Sequence, residues 1–181
     1  MDVLLHHRLD QVIMTHSRNT LNLRYVDNLL YLCASVSEGR QVLSYAEETL
    51  STAGFTLKHE DGDPRDLRDP TDNRIVLGLI PRWQSGRLTP AIPESAYENL
   101  RQGLIMSNEA EKPSENALLR CQGWMYSLGP ALTRSDTGTV IDRVIEMALG
   151  AGHRNVTREG LREVADEARM KWHWVLRGTR R

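Results

Sequence analysis

The hydrophobic period of this sequence changes once, near Ile92, and that change limits what the chain can fold into. Beyond it, every apolar stretch repeats at helical spacing. Pro93 is placed as a first-turn residue ahead of "ESAYENLRQGLI". "SENALLRCQGWMYSLG" reads as a second helix, stopped by Gly129-Pro130. "TGTVIDRVIEMALG" reads as a third, with Val140, Ile141, Val144, Ile145 and Ala148 in one stripe. A fourth begins near Thr157 and carries Leu161, Val164, Ala165, Ala168, Trp172 and Val175 on one face.

Before Ile92 the pattern is mixed. Leu4, Leu9, Val12 and Ile13 predict a helix over residues 3–15, followed by a turn from Ser17 to Thr20. Leu21, Leu23 and Tyr25 alternate with Asn22 and Arg24, the period of a half-buried strand. "LLYLCA" reads as an apolar strand covered on both faces, so Val26, Asp27 and Asn28 must reverse the chain between them. Ser35 and Glu38 form a capping box for a helix whose inner face is Val42, Leu43, Ala46 and Leu50, closed by Gly54. "FTLKH" is expected as a short strand and "EDGDPRDLRDPTDN" as an acidic loop. "RIVLGLI" and the region after Gly86 are expected to pair, with "PRWQSGR" between them. The expected architecture is α+β, with a mixed lobe over residues 1–91 and an all-helical lobe over 92–181; no internal repeat is present.

A chain of 181 residues with 40% hydrophobic, 26% charged and 6% aromatic residues can bury a core of its own. No apolar run approaches the roughly 18–20 residues that span a bilayer. The start, "MDVLLHHRLDQ", lacks the basic-then-apolar order of a signal peptide, so a cytoplasmic location is expected. Cys33 and Cys121 fit no zinc spacing and read as buried thiols. The net charge of -1 hides a basic end: residues 151–181 hold 8 Lys/Arg against 4 Asp/Glu. Such an end can meet phosphate or can simply complement a helix C-terminus.

Taken in order, these segments resemble the second half of the palm, then the thumb, of a reverse transcriptase, the RNA-directed DNA polymerase family. "LRYVDNLLYL" resembles the catalytic hairpin, whose usual form is aromatic-X-Asp-Asp between two apolar strands. "HHRLDQVI" resembles the helix before it, and "AEETLSTAGFTLKHE" the next motif, a helix, a glycine and a strand bearing a lysine. "RIVLGLIPRWQSGRLT" is similar to the primer-grip hairpin, and "AIPESAYENLRQGL" and "ALLRCQGWMYSLGP" look like opening thumb helices. The likeness covers most of the chain, and the order carries more than any single piece.

The resemblance implies a partial polymerase palm, antiparallel strands with packing helices, followed by a helical thumb. It implies a site for Mg²⁺ on Asp27. Nucleotide addition uses two divalent ions about 4 Å apart, and hard Mg²⁺ takes carboxylate oxygens. Lys58 stands where the family has a general acid for the departing pyrophosphate. Leu77 and Gly78 would grip the primer, Arg24 would touch a nucleic-acid backbone, and Tyr25 would pack beneath the terminal base pair. Arg101, Arg120, Arg154, Arg158 and Arg162 would follow the backbone of an RNA template/DNA primer duplex, in a salt-dependent way. Trp124 and Trp172 read as core anchors, the acidic loop as solvated, and His173 in "KWHW" has no second metal ligand at helical spacing.

Two departures qualify the resemblance. Asn28 stands where the pattern has a second aspartate; it keeps an oxygen ligand and loses a unit of charge. The family's other catalytic aspartate lies on an upstream strand, and Asp10, in a helical pattern, is not that residue. The expectation is an assembly in which a partner polypeptide or upstream segment supplies the fingers and the missing carboxylate, this chain alone not polymerising. The competing expectation is a non-catalytic, polymerase-derived nucleic-acid-binding or scaffold protein. A generic α+β interaction domain is a third.

Overall fold

A computed structural model describes the backbone of residues 21–25, 28–57, 63–133 and 137–178, and the side chains of 30–57, 63–132 and 137–173. The expected helix over residues 3–15 lies outside them. The fold is mixed α+β, and the chain divides into two compact units, Met1–Asp69 and Pro70–Arg181.

In the first unit, β1 (Leu21–Tyr25) and β2 (Asn28–Leu32) form an antiparallel ribbon with Leu21 opposite Leu32 and Tyr25 opposite Asn28. Asn28, expected in the reversal, belongs to β2; Val26 and Asp27 lie outside the described residues. Leu30, Tyr31 and Leu32 are half-buried; the expectation of a strand covered on both faces is not met, because the described residues add only one helix to a two-stranded ribbon.

That helix is α1 (Val36–Ser51). Ser35 Oγ accepts from the Glu38 N–H at 3.1 Å, and the Glu38 carboxylate accepts from the Ala34 N–H at 2.7 Å. One donor of the first turn, and that of the residue before the cap, are thereby satisfied. At the other end Gly54, at φ +79°, lets the Phe55 N–H reach the Leu50 carbonyl and its own N–H reach that of Ser51, both at 3.0 Å. This is a Schellman closure, and Phe55 packs with Leu57 on Ala46 and Leu50 as the motif requires. Phe55–Leu57 therefore continue as packed coil where a strand was expected. The acidic loop straps back over α1: Asp63 takes two hydrogen bonds from Arg40, and Pro64 sits so close that a Cβ on Gly39 would come within 2.8 Å of it.

The second unit opens on a tight turn. Val76 and Leu79 exchange backbone hydrogen bonds of 2.7 and 3.1 Å around Leu77 and Gly78, at φ +51° and +83°. Two successive positive φ values mark a type I′ reversal. A second reversal of the same kind, Ser85-Gly86 at +51° and +75°, joins β3 (Ile80–Gln84) to β4 (Arg87–Ala91). The strand pair thus lies later than expected: "PRWQ" is strand, and "RIVLGLI" is mostly the turn before it. Pro81 and Pro90 face each other. Counting from the turn, they occupy a non-hydrogen-bonded pair, where neither missing N–H breaks the ladder.

Four helices follow, α2 (Glu94–Ser107), α3 (Pro113–Ser127), α4 (Thr137–Gly150) and α5 (Arg158–Gly178), with a 3₁₀ turn at Ala131–Thr133. Pro93 is the residue before the first helical turn of α2, at φ -71° and ψ 151°, not within it. α2 packs on α3 and α4, and α5 on α3 and α4, closing a four-helix ring. Its core is Leu100, Leu104, Cys121, Met125, Ile141, Val144, Leu161 and Ala165, all 5% exposed or less. The expected stripes supply it, and Leu79 and Ile92 pack against it from the hairpin side. That packing, with β4 against the 3₁₀ turn, places the hairpin with the helices; the division falls at Asp69–Pro70, ahead of the expected boundary at residue 91.

Candidate functional site

Residues 21–25 and 28–32 pair as antiparallel strands where a hairpin was expected. Arg24 pairs with Leu29 and Tyr25 with Asn28. Asp27 and Lys58 lie outside the described residues, as do the side chains of Arg24, Tyr25 and Asn28. A two-ion Mg²⁺ site needs several carboxylates in one place. Among the described residues no group of three or more His, Cys, Asp or Glu could hold a metal ion. Two carboxylates of the acidic loop are held by arginines: Asp63 by Arg40, and Asp66 by Arg68, whose hydrogen bonds hold the Asp66 carboxyl down at about 2.

The second unit has a cleft of about 400 Å³. One wall is the Leu77–Gly78 turn with Leu79. A second is one face of α2, where Ala96, Asn99, Leu100 and Gly103 follow helical spacing. The third is the facing stripe of α3, Arg120, Trp124, Ser127 and Leu128. Three residues singled out in the sequence, Leu77, Gly78 and Arg120, therefore line one cavity. Leu77 is 59% exposed at a positive φ that leucine rarely adopts. An exposed apolar side chain in a strained turn is an unfavourable choice for stability alone, and such outliers cluster at binding sites.

Arg120 is held from two sides. Its Nε–H donates to Asn116 Oδ1 at 2.9 Å, one turn earlier on α3. Ser107 Oγ, fully buried, lies 2.9 Å from the same oxygen and 2.9 Å from the Gly103 carbonyl. Gly103 leaves room for the guanidinium: a Cβ there would come 3.1 Å from Arg120 Nη1, with the arginine's side chain supplying the nearest atoms. Among the described residues, no carboxylate pairs with Arg120.

The other four arginines expected to follow a duplex differ. Arg101 does not line the cleft; it makes a two-pronged ion pair with Glu98, at 2.8 and 2.9 Å, which holds the Glu98 carboxyl down at about 2. Arg158 pairs with Asp142. Arg154 and Arg162 are exposed and, among the described residues, unpaired. Trp124 anchors the cleft wall as expected of a core residue, donating from Nε1 to the Ala96 carbonyl at 3.1 Å. Tyr97 lies between it and Arg143, its ring tilted 53° to that of Trp124 at 5.1 Å and 3.7 Å from the guanidinium. Trp172 is half-buried and His173 exposed.

Asn116, Gly103 and Ser107 were not singled out in the sequence. The signals were there: an isolated glycine inside "LRQGLI", which usually marks a close approach, and Asn116 and Arg120 at i,i+4 spacing. Cys121 is buried, and burial pushes its thiol up to about 11; Cys33 is only half-buried, less than expected. Among the described residues no helix is long and apolar enough to cross a membrane. Comparison of the chain with protein-family models, with curated proteins and with solved structures finds no match.

Proposed function

We propose that this chain is the palm–thumb portion of a reverse transcriptase-like polymerase. It contributes Asp27 and primer–template contacts to Mg²⁺-dependent nucleotidyl transfer, and another segment or polypeptide supplies the remaining catalytic carboxylate and the fingers. In this reading Asp27 holds metal, Lys58 assists the leaving group, and Leu77 and Gly78 contact the primer. One observation carries it beyond the order of motifs: the turn read as a primer grip and the helical arginine read as a backbone contact share one cleft, with Leu77 exposed in a strained turn and Arg120 free of any described carboxylate. Two regions distant in sequence, each assigned to the same ligand, converge. A cation without an internal counter-charge is what a phosphate ligand requires.

Affinity purification from the native host, with mass spectrometry of what co-elutes, tests the assembly. A stoichiometric polypeptide carrying polymerase fingers and a catalytic aspartate is the expected result, unless a longer form of this chain carries them itself. Asn28 favours a second reading, a polymerase-derived binding protein, because it removes one negative charge from the metal-binding tip. Nucleic-acid binding indifferent to Mg²⁺, with neither such a partner nor a longer form, would establish that second reading instead.

A further inference from the structure

In the sequence Arg120 is one of five arginines expected to follow a duplex backbone. The geometry separates it from the rest. An arginine on a helix surface ordinarily samples many rotamers, and ordering it costs conformational entropy at the moment of binding. Here that ordering is built in. Nε–H can only donate, so the Asn116 amide must turn its oxygen toward it, and the buried Ser107 hydroxyl lies against the same oxygen. Gly103 supplies the bed on which Nη1 lies. The acceptor chosen is a neutral amide. A carboxylate at position 116 would fix the guanidinium equally well and cancel its charge, as Glu98 does for Arg101. The arrangement fixes the cation while leaving it uncompensated at the edge of a cleft.

We propose that Arg120 is a preorganised site for one phosphate group of a nucleic-acid backbone, and that Asn116, Ser107 and Gly103 are its positioning residues. The proposal rests on the polymerase reading for the identity of the ligand, and on the cleft alone for the anion. Asn116 acts by fixing Nε, and Gly103 by leaving space that any side chain would take from Nη1.

The test is an anisotropy titration of a labelled RNA/DNA primer–template duplex with the full chain, repeated across a series of salt concentrations. One phosphate contact contributes about 0.9 to the log–log salt slope for duplex DNA, and its loss lowers the slope by about one. Arg120→Ala is expected to lower the slope by that amount. Asn116→Asp is expected to do the same, although it keeps an oxygen for Nε. Gly103→Ala places a Cβ 3.1 Å from Arg120 Nη1, and alanine favours a helix over glycine. It should weaken binding several-fold with a melting temperature unchanged or raised, which a merely structural role for Gly103 would not produce. A wild-type chain that binds the duplex, with slopes unchanged in Arg120→Ala or Asn116→Asp, overturns this inference and leaves the polymerase reading standing. A wild-type chain that fails to bind at the lowest salt removes both. Inorganic phosphate that displaces the duplex from wild type, but not from Arg120→Ala, at matched ionic strength would identify a free-phosphate site and overturn the backbone assignment.

Discussion

Leu77 sits where stability would choose another residue. Left-handed backbone costs an ordinary L-residue about 1–2 kcal/mol, and asparagine at the first position of a type I′ turn avoids most of it. Leu77→Asn should therefore raise stability by up to about 1 kcal/mol in a urea titration and weaken duplex binding. A loss of stability would mean that the leucine is held by packing. Cys121 gives a second prediction at this scale. Its thiol is raised to about 11 by burial, from an ordinary value of 9.0. Between those values the folded state binds more protons than the unfolded chain, so stability falls as pH rises through that window and is unaffected below it. Alkylation at neutral pH should reach Cys33 and spare Cys121 until the helices unfold. Equal labelling of both thiols in the native protein would show that the ring of helices opens far more readily than its packing suggests.

The elements differ in how plainly the sequence announced them. α1 was legible at both ends because its caps are local chemistry: Ser35 and Glu38 at the start, Gly54 at the close. Ser35→Ala should cost about 1 kcal/mol of α1 stability, read as increased amide exchange in its first turn. No change would mean that Glu38 and the loop strap suffice. α4 was legible to the residue, since its stripe repeats without interruption from Val140 to Ala148. The β3–β4 ribbon was misplaced for a physical reason. Two glycine turns compete in "VLGLIPRWQSGRL", and prolines at 81 and 90 argue against strand unless the ladder is known to skip their N–H positions. That register is a pairing property, which no single stretch displays. "FTLKH" has strand-like alternation, yet its apolar residues are occupied by the Schellman contact with Leu50.

At the scale of the molecule, the motif order brought Leu77, Gly78 and Arg120 to notice separately, and the fold of the second unit brought them together. Asn116, Gly103 and Ser107 stayed hidden because their role exists only once α2 lies antiparallel to α3. The contrast between Arg101 and Arg120 was hidden for a similar reason: both are exposed helical arginines, and only side-chain geometry shows that one is neutralised and the other is not. The central claim concerns the tip of the first hairpin, and primer extension tests it most directly. The assembly purified through this chain would be given Mg²⁺, a primed RNA template and deoxynucleotides, with wild-type protein and with Asp27→Ala. The account predicts extension by the wild type and a loss of at least a hundredfold in the variant, with its binding to primer–template retained. Extension that survives Asp27→Ala undiminished would contradict it.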